Sequence, residues 1–117
     1  MIENILGVMS HPRARPGVKY GAIAYGKANR SYGASHNWNN RSIAQSKALQ
    51  TCGKLSNDCE IIVWFSNNCG AVAANKDQST YWGLGKSEGE AQKVAMSECA
   101  KSGQKCVVVT SDCSWNK

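Results

Sequence analysis

The sequence has 117 residues, a length typical of one domain, and its longest apolar runs hold about five residues, whereas a membrane span needs roughly 20. Its net charge is +6, but the basic residues are scattered and form no stripe with interleaved aromatic residues, so nucleic acid is not an expected partner. Six cysteines are many for a cytosolic domain of this size, and their even number favours disulfide bonds and an oxidising compartment.

The first segment, residues 1–19, is predicted to be a mobile arm because it holds both prolines, Pro12 and Pro16. It lacks the basic start, long apolar core and small-residue cleavage site of a signal peptide. Since the cysteines indicate export, we expect that a natural leader has been removed and that Met1 is an expression start. The folded domain is then expected over residues 20–117.

An internal repeat follows the arm. Gly21-Ala-Ile-Ala24 recurs 49 residues later as Gly70-Ala-Val-Ala73. Residues 44–52 and 59–63 recur 47 residues later as 91–99 and 106–110. Three matched blocks in the same order predict two copies of one structural unit, over about 20–66 and 69–113.

Each unit is predicted to fold as strand, strand, helix, strand. Alternating side chains and turn residues predict strands at about 20–26, 30–36 and 59–66, and again at about 69–75, 79–85 and 106–111. Capping-box spacing predicts helix starts at Ser42-Ile-Ala-Gln45 and Ser87-Glu-Gly-Glu90. The short link at residues 66–68 predicts that the strands on either side pair. We therefore expect an α+β fold with one mainly antiparallel sheet and both helices on one face.

The cysteine spacing predicts three disulfides. Six cysteines allow 15 connectivities, and only the symmetry of the repeat selects among them. It pairs Cys52 with Cys59 and Cys99 with Cys106, which leaves Cys69 with Cys113. Neither a C-x2–4-C knuckle nor an H-x3–5-H pair occurs, and His11 and His36 are isolated, so no metal site is expected.

No catalytic set is evident. The segment Gly83-Leu-Gly-Lys-Ser87 ends like a phosphate loop, but that motif needs a glycine where Thr80 stands. Ser35 and His36 are adjacent on a predicted strand, so their side chains are expected on opposite faces. The nucleophile-elbow motif is absent, and most carboxylates fall at helix starts or in loops. We expect a protein without enzymatic activity and without a cofactor.

Aromatic residues give the clearest binding signal. Trp38 lies in a polar segment, Trp82 in the equivalent region of the second unit, and Trp115 follows the last cysteine. Tryptophan, tyrosine and arginine often anchor protein interfaces, and aromatic rings also stack on sugars. The same rings could instead cover a core that is poor in phenylalanine. At least one of two neighbouring strand residues, Trp64 and Phe65, is expected in the core. The candidate binding residues are Trp38, His36, Arg41, Tyr81, Trp82 and Trp115.

Several segments resemble a known family. Residues 20–24, the helix ending at Cys52, residues 59–65 and residues 68–73 are similar to the bacterial domain-of-unknown-function 4189 family, and the likeness continues to about residue 114. The resemblance implies a small exported protein, secreted or periplasmic, usually made with a signal peptide. It implies no catalytic or binding residue. The segment around Trp38 departs from the family by its greater length.

These observations favour an exported, non-enzymatic protein-binding module, such as an inhibitor or immunity protein acting on an enzyme or toxin of the cell envelope. A cationic surface would suit an acidic partner. The alternative is a domain that binds cell-wall glycans, or a small wall-active hydrolase that combines the aromatic residues with an acid. The oligomeric state stays open, because exposed strand edges would permit pairing between copies.

Overall fold

The computed structural model describes residues 17–115, and the expectations for the arm and the missing leader fall mostly on residues outside that range. Two copies of a ββαβ unit follow one another, which confirms the predicted α+β class. The elements are β1 (Tyr20–Gly26), β2 (Ser31–Trp38), α1 (Arg41–Gly53), β3 (Glu60–Ser66), β4 (Asn68–Asn75), β5 (Thr80–Gly85), α2 (Glu88–Ala100) and β6 (Cys106–Ser114).

The strands form two antiparallel sheets, one from each repeat. Their orders are β2-β1-β3 and β5-β4-β6. The predicted single sheet is therefore wrong. The link at residues 66–68 is short, but β4 already pairs with β5 on one edge and β6 on the other, so no edge is left for β3.

The two sheets pack face to face, and each helix covers the outer face of its own sheet. Ile23 of β1 and Val72 of β4 are fully buried in the core between the sheets, together with Phe65. Ala22 on β1 faces α1, and Ala71 on β4 faces α2. The expected placement of both helices on one face is thus wrong. Strands buried on both faces carry continuous apolar residues rather than an alternating pattern, and β1 and β4 show this feature.

Small side chains let each helix approach its sheet. The buried positions are Ala44, Ala48 and Cys52 on α1, and the equivalent Ala91, Ala95 and Cys99 on α2. The helix α2 begins as predicted, since Ser87 Oγ accepts a hydrogen bond from the Glu90 amide at 3.1 Å. The helix α1 begins earlier than predicted. Its cap is Asn40, whose extended backbone lets Oδ1 accept from the Ile43 amide at 2.8 Å, and Ser42 lies inside the helix.

The three predicted disulfides are confirmed. Cys52–Cys59 and Cys99–Cys106 each tie the end of a helix to the following strand, while Cys69–Cys113 joins β4 to β6. All six cysteines are bonded, so no thiol is available for chemistry.

Candidate functional site

A groove of about 420 Å³ opens between β3 and β5, the edge strands on one side of the two sheets. We call it the sheet groove. Three large apolar side chains in its lining are exposed: Trp82 by 51%, Trp64 by 39% and Leu84 by 38%. The groove is lined by Ile62, Val63, Trp64, Phe65, Ser66, Asn68, Trp82 and Leu84.

Strand alternation explains why the sheet groove is apolar. Gly83 packs against α2, where an added Cβ would lie 2.5 Å from the Ala95 amide nitrogen. Its neighbours Trp82 and Leu84 therefore face the other way, into the groove. Phe65 is buried at the base, whereas its neighbour Trp64 is exposed, so the prediction that one of this pair fills the core is confirmed.

Polar groups also border the sheet groove. Ser66 and Asn68 belong to its lining, whereas Arg41, whose guanidinium carbon lies 4.7 Å from the centroid of the Trp64 ring, does not. The buried Oδ1 atom of Asn68 has no hydrogen-bond partner within residues 17–115. An unsatisfied buried acceptor of this kind costs about 1–3 kcal/mol.

A second groove, of about 330 Å³, lies between the edge strand β2 and α1. We call it the helix groove. Trp38, which is 37% exposed, forms one wall, and Lys47 Nζ lies 5.1 Å from the centroid of its ring. No carboxylate is among the residues that line it: Ala34, Ser35, His36, Trp38, Lys47, Gln50, Thr51 and Lys54.

A β-bulge near the end of β2 directs Trp38 toward the helix groove. The pairing register shifts by one residue between Tyr20–Trp38 and Ala22–Ser35. Trp38 therefore lies on the same face as Ser35 although they are three residues apart. Within the bulge Asn37 has a φ of 62°, a left-handed conformation that asparagine tolerates better than most residues.

The bulge is held by the other repeat. The amide of Asn37 donates to Ser114 Oγ at 2.8 Å, and Asn37 Oδ1 accepts from the amide of Trp115 at 3.2 Å. His36 also contacts β6, with 2.8 Å between its Nδ1 and Asp112 Oδ2. Ser35 Oγ donates instead to the carbonyl of Ala44 at 2.6 Å. Ser35 and His36 thus have separate partners, and no serine–histidine pair is formed.

The six candidate binding residues do not form one site. Trp38 and His36 line the helix groove, and Trp82 lines the sheet groove. Tyr81 is half-buried against the core under α2, while Trp115 is exposed beside the bulge. Trp38 and Trp82 are also not equivalent, because one ends β2 and the other lies in the middle of β5.

Sequence reasoning missed part of each groove. Trp64 and Leu84 come from strands that pair with different partners, so no local spacing connects them. For the helix groove a signal was present: Lys47, Thr51 and Lys54 follow the i, i+4, i+7 spacing of one helical face.

Four other features bear on function: membrane-spanning helices, metal sites, the phosphate-loop-like segment and the carboxylate of Asp58. Within residues 17–115 no helix is long and apolar enough to cross a membrane, and no three metal-ligating side chains cluster. Two backbone amides at the start of α2, where a phosphate loop would bind its anion, already have partners within the chain. The amide of Glu90 donates to Ser87 Oγ, and the amide of Lys86 donates to Glu90 Oε1 at 2.8 Å. The hydroxyl of Ser56 and the amide of Ala28 lower the pKa of Asp58, which lies in a turn outside both grooves.

Comparison with known proteins gives a family but no activity. The model of a family described as "Domain of unknown function (DUF4189)" matches residues 20–113. Protein Rv1269c of Mycobacterium tuberculosis and Protein Mb1300c of Mycobacterium bovis are each 39% identical over 79 residues, which is 68% of this chain. The chain spans 60% of the length of these relatives. No solved structure matches it.

Proposed function

Because this chain belongs to the DUF4189 family, whose description carries no activity, we propose a function from its own surface: an exported protein-binding module without catalytic activity. We propose further that it acts as an inhibitor or immunity protein toward an enzyme or toxin of the cell envelope. The observation that carries the proposal is the sheet groove, with Trp82 half exposed on a rigid strand.

The composition of the sheet groove matches that of a protein interface. Binding energy at such interfaces concentrates in a few buried side chains, among which tryptophan is enriched. Trp82 and Leu84 form an apolar centre, and Ser66 and Asn68 add polar groups to the lining. An apolar centre with a polar rim is the usual anatomy of a specific interface.

The strands that border the groove favour an extended partner segment. Within residues 17–115 no strand pairs with the outer edge of β3 or β5. An extended peptide can add to such an edge and place alternate side chains in the adjoining pockets. We propose that an exposed loop of the partner binds in this way, with apolar side chains beside Trp82 and Leu84. The net charge of +6 supports an acidic partner.

The disulfides support both the compartment and the mode of binding. Such bonds persist in secreted and periplasmic proteins and are rare in the cytosol. Cys69–Cys113 cross-links the sheet that carries Trp82. A rigid groove loses little conformational entropy on binding, which favours an inhibitor that must compete with a substrate.

Site-specific photo-crosslinking in the producing bacterium tests this function. A photoreactive phenylalanine replaces Leu84 in the sheet groove, and a matched control replaces Val94, which is comparably exposed on α2. We expect one envelope protein to crosslink from position 84 and not from position 94. Equimolar addition of the purified chain should then suppress the activity of that protein, and Trp82→Asp should abolish the suppression. Equal crosslinking from both positions, or an undiminished activity, would refute the proposal.

A further inference from the structure

The first repeat has a one-residue bulge near the end of β2 that the second repeat lacks, and this difference shapes the helix groove. The strand β5 stops at Gly85, and only Lys86 separates it from the cap of α2, Ser87. The strand β2 ends in the same way, since Trp38 pairs with Tyr20 as Gly85 pairs with the equivalent Cys69, and only Asn39 precedes the cap Asn40. The bulge gives β2 one more residue before this point, so the second repeat has no bulge here and a glycine in place of the tryptophan.

The helices differ in charge at the equivalent surface. Lys47 and Thr51 of α1 correspond to Val94 and Glu98 of α2, and the residue that follows each helix is a lysine, Lys54 or Lys101. In the second repeat, Lys101 Nζ lies 2.9 Å from Glu98 Oε2, so the carboxylate of Glu98, one helical turn earlier, neutralises the charge of Lys101. In α1 a threonine replaces that glutamate. The helix groove therefore keeps two lysines without a carboxylate on its lining.

We infer that the helix groove binds a segment of an anionic polysaccharide, one that carries carboxylate or phosphate groups. The indole of Trp38 provides a flat surface for a sugar ring. Lys47 and Lys54, seven residues apart on one face of α1, are placed to meet acidic groups along the chain of sugars. Gln50, also in the lining, supplies an amide for the sugar hydroxyls.

The bulge favours a polysaccharide over an acidic peptide. A peptide would gain most by adding to the free edge of β2, but a bulge interrupts the regular ladder that strand addition needs. A polysaccharide requires no backbone ladder. The inference is independent of the proposed protein-binding function, since it concerns a different groove formed by different elements.

Calorimetric titration of the full chain tests the inference with four probes. Hexagalacturonate supplies carboxylates, short poly(glycerol phosphate) supplies phosphates, cellohexaose is the neutral control, and hexaglutamate is the peptide control. We expect saturable binding of at least one of the two anionic polymers, weakening as salt is added because the contacts are charged and exposed. Binding to neither anionic polymer, or equal binding to hexaglutamate, would overturn the inference.

Variants locate the binding site. Thr51→Glu copies α2 by placing a carboxylate one turn before Lys54, and we expect it to weaken binding about tenfold. Trp38→Ala should weaken it by a similar factor, and circular dichroism of the variant checks that the fold is retained. The matched control Lys93→Gln removes a lysine from α2, and Trp82→Asp alters the sheet groove; neither should change the affinity. Retained affinity in Thr51→Glu and Trp38→Ala would exclude the helix groove.

Discussion

The ring of Phe65 lies directly against the backbone of Gly70, where an added Cβ would come within 2.6 Å of the ring carbon Cδ1. Phe65 belongs to the first sheet and Gly70 to the second. On its other side the same ring contacts Gly21 of β1. One aromatic side chain between two glycines therefore sets how closely the sheets approach.

Alanine at either glycine should destabilise the fold, and by different amounts. At Gly21 the new Cβ would also lie 2.5 Å from the carbonyl oxygen of Ser35. This oxygen belongs to the backbone of β2, so relieving the clash would require the strand to shift. We expect Gly21→Ala to lower the free energy of unfolding by about 3 kcal/mol and Gly70→Ala by about 1 kcal/mol, the range for overpacking. Gly53→Ala is the control, since nothing lies within 4 Å. Urea unfolding measures all three, and equal losses at Gly21 and Gly53 would contradict the packing argument.

Each disulfide should stabilise the fold by an amount that increases with the length of the loop that it closes. Cys69–Cys113 spans 44 residues and Cys52–Cys59 spans 7. Chain-entropy estimates give about 4 kcal/mol for the long loop and about 2.5 kcal/mol for the short one. Paired serine substitutions at each bridge, compared by denaturant unfolding, should reproduce this order. A larger loss at the short bridge would show that local geometry outweighs loop entropy.

The stability of the domain should fall in acid partly through Asp58. Its carboxylate accepts hydrogen bonds from Ser56 Oγ and from the amide of Ala28, which lower its pKa below the ordinary 3.8. The folded state therefore prefers the charged form. The stabilisation is complete well above pH 3.8 and is lost as the pH falls through the lower folded pKa.

We expect Asp58→Asn to be less stable than the parent chain at pH 7 and to lose less stability below pH 3.8. Ser56→Ala should show part of the same change. Melting temperatures measured between pH 7 and pH 2 check both variants. Parallel curves for Asp58→Asn and the parent chain would show that these hydrogen bonds do not favour the charged carboxylate.

Trp82 should matter for binding and not for folding. With half of its surface exposed, Trp82→Ala should change the free energy of unfolding by no more than about 0.5 kcal/mol. Phe65→Ala, by contrast, should cost about 3–5 kcal/mol because that ring is buried. Thermal unfolding of the two variants provides the comparison. A large loss in Trp82→Ala would assign the side chain to the core instead of to a binding surface.

Local features were predictable, and the relation between distant strands was not. Cys52–Cys59 and Cys99–Cys106 followed from one spacing that occurs twice, and Ser87 was recognisable as a helix cap. The separation into two sheets depends on which edges of β4 are already occupied, and no local pattern records that choice. The uninterrupted apolar residues of β1 were nevertheless a sign that both of its faces are covered.

The candidate grooves were only partly predictable for a similar reason. Trp38 and Trp82 stood out as tryptophans outside an apolar pattern, but their placement in separate grooves depends on the bulge at Asn37 and on the inward face of β5. A bulge inserts one residue and reverses every later side chain on the strand. Its trace in the sequence was one of the two residues by which the first repeat is longer, and the other extra residue lies in the turn between β1 and β2.

The helix groove draws all of its lining from the first repeat, between Ala34 and Lys54. The bulge beside it is nevertheless held by the second repeat, through Ser114 and Trp115. The wall of the groove and its support therefore come from different copies of the unit. A substitution at the end of β6 would reshape the groove although no residue of that strand lines it.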